Sequence, residues 1–76
     1  MDYRYDRKQG EKIMRENLIQ ARKQRRLTQK QLASILEVEP TCICNWELGY
    51  RMPVRKYRQK LTKFFNIQEH ILLAEK

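Results

Sequence analysis

The sequence predicts an all-α fold, a compact bundle of five short helices within one small domain. Apolar residues recur three and four positions apart, and nowhere alternate with polar ones for long enough to make a strand. Helix start and stop signals punctuate the chain at Thr28, Pro40, Gly49, Pro53 and Asn66. At 76 residues it is one domain, and a globule of this size buries only about 60% of the surface its unfolded chain exposes. Its core must be built from few side chains.

The first helix is expected over 11–24, where Ile13, Met14, Leu18 and Ala21 fall on one side and charged residues cover the other. TQKQ at 28–31 has the form of a capping box, in which Thr28 accepts from the amide three residues on and Gln31 reaches back. A second helix over 29–36 follows, with Leu32, Ala33, Ile35 and Leu36. Pro40 suits the first helical position of a third helix over 40–48, and the acidic Glu39 before it favours the positive end of the dipole. Gly49 ends it, being able to adopt a left-handed conformation. Pro53 is expected to open a fourth helix that carries Val54, Tyr57, Leu61, Phe64 and Phe65 and stops at Asn66. A fifth, over 68–74, offers Ile71, Leu72 and Leu73.

Composition excludes several classes. Hydrophobic residues make up 41% and charged ones 34%, too apolar for a disordered chain and too polar for a membrane one. No apolar run approaches the roughly 20 residues of a spanning helix, and MDYRYDRKQGEKIM is charged where a signal peptide is greasy. A soluble, cytoplasmic protein is expected. The single histidine, His70, has no catalytic partner at motif spacing and there is no glycine-rich phosphate loop, so no enzyme and no cofactor are expected. Cys42 and Cys44 are too few ligands for a metal site, and residues two apart on a helix point about 200° apart. A bridge between them would close a useless loop.

Charge is the positive signal. The net charge is +8, and it is unevenly placed. Residues 1–30 carry ten basic and four acidic side chains, residues 31–50 none and three, and residues 51–63 six and none. Two basic blocks therefore flank a segment with no lysine or arginine, a distribution suited to nucleic acid. The second and third helices are joined only by residues 37–39, the connection length of a helix-turn-helix, whose second helix enters the DNA major groove.

The run LTQKQLASILEVEPTCICNWELGYRMP, residues 27–53, resembles the Cro/C1-type (XRE) helix-turn-helix family, with its lambda repressor-like fold. Leu27, Thr28, Gln29, Leu32, Ala33, Leu36, Val38, Ile43, Trp46, Glu47, Gly49 and Pro53 match the family pattern without a gap. The resemblance implies a DNA-binding domain over 14–76, preceded by an extension, residues 1–13. It implies that Gln29 touches a phosphate, that Pro40, Thr41, Cys44 and Asn45 face base edges, and that Arg22 pairs with Glu47. With Ile43 and Trp46 turned inward, helical spacing also places residues 40, 41, 44, 45 and 48 outward. Asn45 is the best base reader among them, since its amide donates and accepts together at an adenine edge.

Lys30, Arg51, Arg55 and Lys56, in the flanking basic blocks, are the candidates for phosphate contacts, which position a protein while base contacts choose the sequence. A sequence-specific transcriptional regulator is expected, acting as a homodimer on double-stranded DNA through an interface at Ile71, Leu72 and Leu73. The chain departs from the family pattern at Glu37, where glycine is usual, and at Glu39, where a serine or threonine cap is usual. These departures and the extension motivate an alternative, a helix-turn-helix protein that acts mainly through contacts with another protein. Non-specific nucleic-acid binding is a third possibility. Cys42 is expected at the edge of the core and Cys44 on the outward face.

Overall fold

A computed structural model describes residues 14–75 as five helices in chain order. They are α1 (Glu16–Gln24), α2 (Gln29–Leu36), α3 (Pro40–Leu48), α4 (Arg55–Phe65) and α5 (Glu69–Leu72). Among the described residues there is no strand, and no helix is long and apolar enough to cross a membrane.

The ends of α2 and α3 are set by the chemistry that the sequence announces. The Thr28 hydroxyl accepts from the Gln31 amide at 3.0 Å, and the Gln31 side chain accepts from the Thr28 amide at 2.9 Å. This closes the capping box and satisfies two of the amides that a helix start leaves open. Pro40 occupies the first turn of α3, and Gly49 ends that helix at φ 82°. Glu37 ends α2 in the left-handed region at φ 64°, ψ 46°, where its amide donates to Ser34 and that of Val38 to Ala33. Asn66 does the same for α4 at φ 58°.

Two helix starts differ from expectation. Residues 11–13 lie outside the described residues, and Met14 and Arg15 are not helical. The chain instead crosses the end of α3, where the Arg15 amide donates to the Glu47 carbonyl at 2.9 Å, and α1 begins only at Glu16. Pro53 does not open α4. Val54 is extended at ψ 165°, so helical geometry starts at Arg55, while Pro53 is buried and its carbonyl accepts from Arg58 Nη1 at 2.9 Å.

The core is one cluster of Leu18, Ala21, Leu32, Ala33, Leu36, Ile43, Trp46, Leu61, Phe65, Leu72 and Leu73. Every helix contributes, and α2 packs most closely on α3, with Ala33 small enough to bring the two together. Leu72 and Leu73 overturn an expectation, because both are buried within this core and neither can face a second copy. In a chain so small, the four-residue α5 is needed as a lid over α1 and α4. Of the three residues expected at a dimer interface, only Ile71 is exposed, at 46%. Val54, expected to share the inner face of α4, is 61% exposed.

The left-handed Glu37 yields a stability prediction. A side chain with a Cβ bears roughly 1 kcal/mol of strain there, so Glu37→Gly should raise stability by about that amount and Glu37→Ala should not. Urea unfolding of the three proteins measures this, and a Gly variant less stable than the parent would rule the strain out. Leu61→Ala, at a fully buried site, should cost about 2–5 kcal/mol in the same assay.

Candidate nucleic-acid interface

α3 is held in place by a buried carboxylate. Glu47, only 2% exposed, receives Arg22 Nε at 2.6 Å and Arg22 Nη2 at 3.1 Å, a two-pronged ion pair between α1 and α3. Gln29 Nε2 donates to the same carboxylate at 2.9 Å, and Arg22 Nη1 to the Leu27 carbonyl at 2.8 Å. One acidic side chain thus ties α3 to α1, to the start of α2 and, through Arg22, to the turn between them. With Ile43, Trp46 and Glu47 turned inward, the opposite side of α3 must face out.

That outward side carries Pro40 and Thr41, both exposed, and Cys44, Asn45 and Leu48, each half-buried. It bears no formal charge. Cys42 packs at the edge of the core, and both cysteines are reduced thiols. Among the described residues no three His, Cys, Asp or Glu side chains could share a metal ion.

Exposed cations lie on both sides of this neutral strip in the sequence. Lys30 stands in the first turn of α2, and Arg51, Arg55 and Lys56 span the α3–α4 connection and the first turn of α4. None of the four forms an ion pair among the described residues. The start of α4 has no side-chain cap at Val54, and its first turn holds two basic residues and no acidic one. Open amides, the positive end of the dipole and those two cations favour an anion at that end. The start of α2 differs, for its capping box is closed and Gln29 already spends one amide hydrogen on Glu47. A second amide hydrogen of Gln29 remains for a phosphate.

Other cations are committed internally. Arg58 Nε lies 3.1 Å from Glu69, and the Arg25 guanidinium sits 4.8 Å from the Phe64 ring centre. The largest commitment is Arg15, whose guanidinium is buried. Its Nη1 donates to the Trp46 carbonyl at 2.7 Å and the Arg51 carbonyl at 2.9 Å, and its Nη2 to Glu75 at 2.7 Å. A cation is favoured at this place because α3 ends there, with open carbonyls and the negative end of its dipole. Nothing in the sequence reading singled out Arg15, although it stands three and seven residues before Leu18 and Arg22 and so shares their inward side.

The chain matches no protein-family model, and no curated protein or solved structure matches it.

Removing one member of a buried pair leaves the other charge uncompensated, at a cost of about 3–5 kcal/mol. Arg22→Met and Glu47→Leu should each destabilise the fold by that order, and the double variant should recover part of the loss. Denaturant unfolding of the three variants tests this, and costs that simply add would show that the pair is not coupled.

Proposed function

We propose that the chain is a sequence-specific double-stranded DNA-binding regulator of the Cro/C1-type helix-turn-helix class. α2, residues 37–39 and α3 form the helix-turn-helix, and α3 enters the major groove as the recognition helix. The observation that carries this proposal is the uncharged outward side of α3, flanked in the sequence by exposed cations that form no ion pair among the described residues. Phosphates on the two strands require positive charge on either side of a reading helix, while discrimination of base edges requires neutral donors and acceptors in its middle. Pro40, Thr41, Cys44 and Asn45 would face bases, and Gln29, Lys30, Arg51, Arg55 and Lys56 phosphates. Two copies would act together on a two-part site with half-sites about one helical turn apart. With Leu72 and Leu73 in the core, any contact between copies must use other residues.

Selection from a random duplex pool followed by a salt titration tests the proposal. Enrichment of a two-part motif is expected, and its absence would sink the DNA-reading role. Asn45→Ala should cost about 1–3 kcal/mol on the selected site and nothing on random DNA. Arg55→Ala or Lys56→Ala should weaken both duplexes alike and lower the salt slope by about 1 each.

A further inference from the structure

Beside the outward strip of α3, the surface changes character. Cys42 and Trp46 of α3, Arg51 and Met52 of the connection, and Val54 and Tyr57 at the start of α4 line an open groove of about 410 Å³. Its lip is apolar and exposed, with Val54 at 61% and Met52 at 49%. Its floor is held by several contacts. Trp46 is nearly buried, with its ring centre 5.8 Å from that of Tyr57, and the Arg15 guanidinium braces the Trp46 and Arg51 carbonyls with Met52 Sδ 3.8 Å away. A surface that is fixed before binding loses little entropy on binding. Arg51 is part of the lining, Lys56 and Lys60 each hold Nζ 5.5 Å from the Tyr57 ring centre, and the exposed Arg55 follows Val54 in the chain.

We propose that this groove docks an acidic amphipathic segment of a second protein, whose apolar side chains cover Met52, Val54 and Tyr57 and whose carboxylates meet Arg51, Arg55 and Lys56. Charge decides the occupant. The 51–63 segment holds six basic residues and no acidic one, so a second copy facing the groove across a two-fold axis would set these cations against each other. A phosphate backbone would satisfy the cations and leave the apolar lip wet. An acidic helix with apolar residues three and four apart satisfies both, and methionine suits such a surface by its adaptable side chain. Under the DNA-binding proposal Arg51, Arg55 and Lys56 also face phosphates, so docking and DNA binding would exclude each other; that consequence alone rests on the proposed function.

The sole tryptophan lies in the groove, and its fluorescence provides a readout that needs no DNA. The probe is a short synthetic helix of leucine and glutamate with leucines on one side, titrated against the 76-residue chain beside a scrambled peptide of equal composition. The ordered peptide should shift Trp46 emission and bind at least about tenfold tighter than the scramble, and Val54→Glu should lower its affinity at least about tenfold. Ile71→Glu, which also places a charge on an exposed apolar residue, should leave binding unchanged. Equal affinity for the scramble, silent Trp46 emission, or equal losses at Val54 and Ile71 would each overturn the docking site. On the selected duplex, the peptide should displace the protein, and a ternary complex would overturn the mutual exclusion while leaving the docking intact. Failure to enrich any DNA motif would bear on the proposed function alone.

Discussion

Glu47 imposes the constraint around which the described chain is arranged. A buried carboxylate with no partner would cost several kcal/mol, a sizeable share of the stability a small domain has. The chain meets that demand with Arg22 from α1 and Gln29 from α2. Because the partners come from different helices, satisfying one charge also fixes three directions. α3 cannot rotate about its axis without stranding the carboxylate, and so the side it offers to solvent is fixed as well. The hydrophobic core alone would be less exacting, since leucine and isoleucine tolerate small slides that a two-pronged ion pair does not.

The same economy governs the positive charge. Arg15, Arg22 and Arg58 are engaged with carboxylates, and Arg25 with an aromatic ring. The net charge of +8 therefore overstates what the surface can offer to a phosphate. Of the exposed cations without an ion pair among the described residues, Lys30, Arg51, Arg55 and Lys56 lie at the starts of α2 and α4 and between α3 and α4, while Lys23, Arg26 and Lys63 lie near the ends of α1 and α4. Arg15 and Arg22 are buried, and the candidate binding residues flank in the sequence the helix whose outward side has no charge of its own. This separation of duties makes the proposed DNA-binding role specific to a surface instead of a property of bulk charge.

Much of this was legible because it is local. The capping box at Thr28, the proline at the head of α3 and the turn at Gly49 act within a few residues, and α2 and α3 lie at the boundaries their sequence predicts. Ile43 and Trp46 also fixed the outward residues, since helical spacing needs no tertiary knowledge. What escaped was non-local. Arg26 takes a left-handed φ of 58° with neither glycine nor asparagine to announce it. α1 starts late, with Arg15 bonded to a helix some thirty residues further on, and Pro53 is a buried side chain rather than a helix start. Leu72 and Leu73 were misplaced by overestimating how much core the other helices supply. Sequence spacing shows which residues share a side of a helix, but not how many such sides one small interior must fill.

Arg15 also bears on how the domain holds together in time. The contacts of α2 with α3 join segments close in sequence, so little chain entropy is lost in making them. The bonds of Arg15 reach across 31, 36 and 60 residues to Trp46, Arg51 and Glu75, and they close loops far longer than the turn between α2 and α3. One guanidinium therefore joins the first described turn, the end of α3 and the segment beyond α5 into a ring. Losing any of these bonds removes a tie between segments far apart in the sequence, so the Arg15 contacts favour cooperative opening of the elements they join.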